Sequence, residues 1–344
     1  MAGDICGVQA QLMSAAQIAL WARVQDLTPE DVEQALWQER ILVKTWCMRG
    51  TVHLLPAVVL PVYVGALKRS AVRAEQRWMA KHGATKEDLE VMVRAVVEAL
   101  AGVPLTRREL ALRVAARLGP EAKQWVEHSW GGVVKQACLQ GLACFGPDRG
   151  KEITFVRQDQ WLSGPGPLSE EEAGKALLRG YLRSYGPATL QDFAAWTGMA
   201  AGEAASIRDR SGDEVIEGSV EGRPGLILRE DLAAIKATAE DHATVRLLPS
   251  FDAYLLGHRD KSHLVDKEHY KLVYRKAGWL SPVVLSGGRA IGIWSQEHRG
   301  RRLRLKVELF ERIASVASDQ IEAEAKDLGR FLGTDSELAF VGPD

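Results

Sequence analysis

Thr106-Arg107-Arg108-Glu109-Leu110-Ala111, with the later runs Leu142-Ala143-Cys144-Phe145 and Glu152-Ile153-Thr154-Phe155-Val156, is the stretch from which the fold is read. The Thr106 hydroxyl is placed to accept the Glu109 amide, and the Glu109 carboxylate reaches back, so a capping box opens a helix here. Upstream, Lys86 to Leu100 has the apolar spacing of an amphipathic helix. Downstream, Trp125 to Gln140 reads as a third helix. The two later runs alternate like strands about Gly146-Pro147-Asp148-Arg149-Gly150, a turn by composition.

Two other regions follow the same order. Ser169-Glu170-Glu171-Glu172 is a second capping box, its helix running to about Ser184, and Thr189-Leu190-Gln191-Asp192 restarts another. A short helix from Ala201 to Arg210 leads into strands Glu214 to Ser219 and Leu226 to Arg229. Near the N-terminus, Leu12 to Val24 and a helix opened by Thr28-Pro29-Glu30-Asp31 precede strands Ile41 to Trp46 and Thr51 to Leu55, which turn at Arg49-Gly50. This third case has one helix fewer, so an upstream helix is expected to be missing. Helices followed by a hairpin wing are the winged-helix order. The expected fold class is therefore α+β, with tandem winged-helix modules at residues 1–82, 83–162 and 168–230. Ser163-Gly164-Pro165-Gly166-Pro167 is the linker between the last two. From 231 to 344 the pattern changes to a β-rich, barrel-like region. Strands Val245 to Leu248, Val283 to Leu285, Ala290 to Trp294 and Leu303 to Leu309 are followed by an acidic terminal helix, Ile313 to Phe331.

No apolar run reaches membrane-spanning length and no leader precedes the first helix, so a cytoplasmic protein with no membrane partner is expected. Cys6, Cys47, Cys138 and Cys144 lack CxxC or zinc-finger spacing, which points to no metal site. The net charge of −1 hides an asymmetry, because residues 311–344 carry eight acids against three bases and leave +4 on the rest. A basic face is compatible with that; a strongly basic protein is not. P-loop, Rossmann, HExxH and nucleophile-elbow patterns are absent.

Gln9 and Gln11, in Cys6-Gly7-Val8-Gln9-Ala10-Gln11-Leu12, stand where the first helix begins. Neutral amides there can hold a water and face a sugar-like cation through their carbonyl oxygens. Taken alone they are also ordinary surface amides, and both readings stay open. The cations divide in the same way. Arg49 on the first hairpin turn is a phosphate candidate, beside a structural His53. Arg107 and Arg108 oppose the dipole of the helix they open, so a phosphate, Glu109 or solvent must compensate. Lys135 is the fixed positive charge of the helix Trp125 to Gln140, with Glu127 opposing it. In Pro249 to Lys261, Arg259 is a candidate contact, whereas Asp252 and Asp260 are read as partners of arginines and Phe251, Tyr254, Leu255 and Leu256 as core. Arg299, Arg301, Arg302, Arg304 and Lys306 form either a phosphate-following stripe, if Arg302, Arg304 and Lys306 share a face, or a charged edge strand.

Three segments together carry a resemblance: Gly7-Val8-Gln9-Ala10-Gln11, the run from Val43 to Pro56 containing Thr45-Trp46-Cys47-Met48-Arg49-Gly50, and Leu248-Pro249-Ser250-Phe251-Asp252-Ala253-Tyr254-Leu255-Leu256-Gly257-His258-Arg259-Asp260. In this order they resemble the winged-helix DNA glycosylases of the AlkZ and YcaQ kind, over most of the chain. The resemblance implies tandem winged helices in a C-shaped arrangement. It also implies a glutamine–hydrophobe–glutamine active-site motif, which Gln9-Ala10-Gln11 matches with alanine as the apolar residue. The implied activity is monofunctional hydrolysis of the N-glycosidic bond of N7- or N3-alkylated purines, extending to bulky adducts or interstrand crosslinks. It needs no cofactor and is carried out by a monomer on double-stranded DNA in the cytoplasm, at the nucleoid when bound. The competing reading is a non-catalytic winged-helix protein, a transcriptional regulator or architectural factor.

Overall fold

A computed structural model of the chain describes residues 1–128, 132–220, 222–237, 244–299, 302–312 and 314–341. It is a mixed α/β protein. Its contacts cluster into two compact units, one of Met1, Val8–Val32 and Glu230–Asp344, the other of Ala2–Gly7 and Glu33–Arg229. The change near residue 230 coincides with the change of sequence pattern. The contiguous 1–82 module does not appear as one compact block, because Val8–Val32 packs into the same unit as the C-terminal region. The helix Met13–Trp21 is the reason. It buries Ala15, Ala16, Ile18, Ala19, Leu20 and Trp21 and so has almost no polar face of its own. Ile18 and Trp21 join the core beneath the sheet.

That sheet has five strands in the order Asp335–Val341, Arg302–Leu309, Arg289–Arg299, Val283–Ser286 and Val245–Leu248. Its end strands do not pair, so it is an open, curled half-barrel. The Gly287-Gly288 turn forms as expected, with Ser286 paired to Arg289 and both glycines at positive φ. Leu303, Leu305 and Val307 point to one face and are fully buried. The long helix Ser315–Phe331 covers them with Ile321, Ala325, Leu328 and Phe331. Ile313, read as that helix's first residue, lies outside the described residues. The parallel strand Asp335–Val341 has no counterpart in the sequence pattern. Its alternation is weak, and it exists because the helix crossover returns the chain beside Arg302–Leu309.

In the other unit the capping boxes form. Glu109 N donates to Thr106 Oγ1 at 3.3 Å and Thr106 N to Glu109 Oε2 at 2.8 Å. Ser169 with Glu172 and Thr189 with Asp192 repeat the exchange. Three antiparallel hairpins follow helices, at Leu42–Trp46 with Val52–Pro56, Ala143–Arg149 with Glu152–Arg157, and Val215–Val220 with Arg223–Leu228. Two expectations change. Gly146 to Arg149 is not a loop; the strand runs through it with a shift of register, and the Pro147 carbonyl accepts from Thr154 Oγ1 at 2.7 Å. The helix expected from Trp125 to Gln140 is two, Glu121–Glu127 and Gly132–Leu139. Gly132 has φ +80 and gives its amide to Glu75 Oε1 at 2.8 Å, a geometry incompatible with one continuous helix. No described helix is long and apolar enough to cross a membrane.

Candidate active site and DNA-contacting residues

The glutamine pair lies at a strand-to-helix junction. Val8–Gln9 is extended, Ala10 is buried, and Leu12 precedes the helix Met13–Trp21 without a side-chain cap. The junction separates the two amides. Gln9 is 9% exposed, whereas Gln11 is exposed to solvent. Strict alternation would put two residues this far apart on the same side. The strand ends at Gln9 and Gln11 lies in the bend before the helix, so that rule no longer holds and the two amides part.

The helix after the pair is held rigidly. Arg23, just beyond its end, forms a bidentate ion pair with Asp252, donating from Nη1 at 2.8 Å and Nη2 at 2.7 Å, while Nη1 also reaches the Ala19 carbonyl at 2.9 Å. Asp252 is 0% exposed and accepts the Tyr254 amide at 2.9 Å as well. Trp21 Nε1 donates to Asp327 Oδ2 at 2.8 Å. The sequence singles out Asp252 as an arginine partner but gives no reason to choose Arg23, because the two are distant along the chain and only the tertiary fold joins them.

Several expected phosphate contacts have other employment. Arg107 donates from Nη1 to the carbonyls of Val126 at 2.8 Å and His128 at 3.1 Å, and its guanidinium lies 5.0 Å from the centre of the Phe155 ring. Burial lowers its pKa. The dipole conflict of the first turn is thus resolved by carbonyls of the neighbouring helix. Lys135, with a side chain 14% exposed, pairs with Glu75 at 2.9 Å. Arg49 has φ +55 and turns inward, donating to the Trp196 carbonyl, with His53 Nε2 3.5 Å from its Nη2. Arg107, Lys135 and Arg49, each a candidate phosphate contact, thus share one feature: each guanidinium or ammonium already has carbonyls or a carboxylate of the protein as partners. Burial and then Arg49 push His53 down to about 3, so it is neutral, with Nδ1 3.0 Å from the Thr51 carbonyl. Arg108 and Arg259 are exposed.

Arg302, Arg304 and Lys306 do share one face of their strand, opposite Leu303, Leu305 and Val307. The strand is internal, not an edge. Its neighbours place carboxylates beside the cations, Asp335 opposite Arg302, and Glu337 and Glu297 flanking Arg304. Lys306 pairs with Glu297 at 2.7 Å, and Arg304 Nε is buried without a hydrogen-bond partner. Of the wider run, Arg301 lies outside the described residues.

The four thiols are buried and unpaired in disulfides. Burial pushes Cys47 and Cys138 up to about 12, which keeps them protonated and poor nucleophiles. Among the described residues one cluster with metal-ligand chemistry forms, Glu268, His269 and Glu311, with ligand atoms within 4.8 Å of one another at the surface.

Comparison with known proteins agrees with this architecture. A model of the family described as DNA glycosylase AlkZ-like matches residues 2–331. An interstrand DNA cross-link repair glycosylase of Streptomyces sahachiroi is 35% identical over 338 residues, covering 96% of this chain and 90% of the relative. The solved structure of the Streptomyces sahachiroi DNA glycosylase AlkZ superposes with a TM-score of 0.88 at 32% identity, over 99% of this chain and 92% of that one. These matches displace the reading as a regulator or architectural factor, and the chain belongs to the AlkZ-like family of DNA glycosylases, hydrolases of N-glycosyl bonds.

Proposed function

We propose that this glycosylase hydrolyses the N-glycosidic bond of purines alkylated at N7 or N3, and that it unhooks bulky adducts and interstrand crosslinks, with Gln9 and Gln11 in the active site. The observation that carries the reading is the arrangement of the pair. An exposed amide and a largely buried one are separated by a single small residue and followed by a helix fixed through Arg23 and Asp252. The relative named for interstrand cross-link repair supports the substrate class.

An alkyl group on N7 or N3 makes the base a cation, so it departs neutral with the bonding electron pair and needs no proton. What remains is to stabilise an oxocarbenium-like sugar and direct water to C1′, a task for preorganised dipoles. Gln11 orients the water through its carbonyl oxygen. As the new C1′–O bond forms, the water's proton passes to solvent, since an amide is too weak a base to keep it. Gln9, held by its surroundings, directs its dipole towards the developing positive sugar. A carboxylate would attract the cation more strongly, so the neutral pair sacrifices rate on small adducts. In exchange it leaves a site that does not require complete rotation of the base, which a crosslinked purine cannot undergo. The working species is a monomer on double-stranded DNA in the cytoplasm, as is expected for a repair enzyme acting at the nucleoid.

An excision assay on an N7-alkylguanine duplex tests the assignment. The wild type is expected to release free base and leave an alkali-cleavable abasic site. The Gln9→Ala, Gln11→Ala double variant should retain DNA affinity and lose release by about 10²-fold or more. Equal release by both proteins would remove the amides from the mechanism.

A further inference from the structure

Tyr270 to Pro282 contains no acidic residue but carries Lys271, Arg275 and Lys276, in a chain whose net charge is −1. The structure folds its second half into a tight projecting turn. Arg275 N donates to the Trp279 carbonyl at 2.8 Å, Tyr274 bridges Leu280, and Ser281 N donates to the Val273 carbonyl at 2.9 Å. Val273 and Leu280 are buried, and Tyr274 OH donates to the Leu255 carbonyl at 2.9 Å, so the base of the turn is anchored. Its tip is not covered. Arg275, Lys276, Ala277, Gly278 and Trp279 are all exposed, Trp279 by 47%.

Three features separate this turn from ordinary surface. A large indole is held outside any core, with its ring edge-on to Phe251 at 5.3 Å and 83°. Two residues that gain nothing from the left-handed region occupy it here, Ala277 at φ +57 in the turn and Phe251 at φ +60 beneath the indole. Among the described residues Lys271, Arg275 and Lys276 make no ion pair, while the nearby Asp266 is already engaged by Arg289 at 2.6 Å. The fold accepts positive φ at two side-chain-bearing residues and holds an exposed indole on the same turn as Arg275 and Lys276.

We infer that the turn Arg275–Trp279 is a DNA-contacting finger, in which Trp279 stacks on a base or sugar face where the duplex opens around the lesion and Arg275 and Lys276 bind the flanking phosphates. Base–aromatic stacking needs only a π-face and is indifferent to sequence, while the neighbouring charges supply the attraction to the backbone. A glycosylase must hold a locally unstacked duplex, and an anchored indole replaces the stacking lost there. The inference rests on the chain being a DNA glycosylase and not on the assignment of the glutamines.

Binding to a duplex containing a tetrahydrofuran abasic analogue beside 2-aminopurine tests it without requiring catalysis. Trp279→Ala should weaken Kd about fivefold or more, and Trp279→Phe should restore most of the loss. The portion of protein fluorescence quenched by DNA should shrink in Trp279→Phe relative to wild type. Arg275→Ala with Lys276→Ala should lower the slope of log Kd against log salt by about two. Wild-type affinity and quenching in the tryptophan variants, or an unchanged salt slope in the double variant, would overturn the finger. A change of molar mass in Trp279→Ala with unaltered DNA binding would equally overturn it, by assigning the surface to a second copy of the chain.

Discussion

The turn Arg275–Trp279 and the strand Arg302–Leu309 both set cations close to apolar residues in the sequence, and the fold treats them oppositely. On the strand, pairing with Arg289–Arg299 and Asp335–Val341 sets Glu297, Asp335 and Glu337 beside Arg302, Arg304 and Lys306. The result is a mixed-charge surface held partly by its own ion pair. On the turn no neighbouring strand brings carboxylates, and the cations remain uncompensated among the described residues. Arg107 and Lys135 extend the lesson, since the first serves carbonyls and the second a buried carboxylate. A cation's availability to phosphate is set by what the fold places next to it, and local cation density is a poor guide.

The contrast between committed and uncommitted cations can be broken by substitution. The largest effect is expected at Arg23→Ala, which strands the fully buried Asp252 without its bidentate partner. A loss of about 3–5 kcal/mol in urea unfolding is expected, together with slower excision as the segment carrying Gln9 and Gln11 loosens. Stability within error of wild type would refute the anchoring role. Next comes Arg107→Ala, which leaves the Val126 and His128 carbonyls short of a donor and should cost about 1–3 kcal/mol. Its salt dependence of DNA binding should match wild type; a slope reduced by about one would show that Arg107 meets phosphate after all. The smallest change is expected for Lys306→Ala. Its partly exposed pair with Glu297 contributes about 1 kcal/mol or less, and its salt slope should also be unchanged. A clear drop in that slope would return the strand to the DNA-binding surface and erase the contrast with the turn.

Much of the local structure is legible in the sequence because it is encoded by near neighbours. Thr106 with Glu109, Ser169 with Glu172 and Thr189 with Asp192 lie three residues apart, so helix starts can be read directly. The Gly287-Gly288 turn is local in the same way, positive φ being cheap for both residues. The strand Asp335–Val341 is not legible, since a parallel pairing across a helix leaves little trace in either segment. Nor is the break between Glu127 and Gly132, where Glu75, far away in the chain, captures an amide. The finger has a faint signal, an acid-free stretch with three cations ending in tryptophan, but nothing in composition says that the indole stays outside.

By itself the sequence determined the order of helices and hairpins, the change of pattern near residue 230, and the three segments that tie the chain to its family. These depend on short-range capping, turn chemistry and hydrophobic period, which operate within a few residues. Only the tertiary structure decided that Val8–Val32 packs with the C-terminal sheet, that Gln9 is buried while Gln11 is exposed, and which cations are neutralised. Those outcomes turn on burial and on partners supplied by remote parts of the chain, and the cost of an unpaired buried charge or carbonyl is settled only once those parts meet.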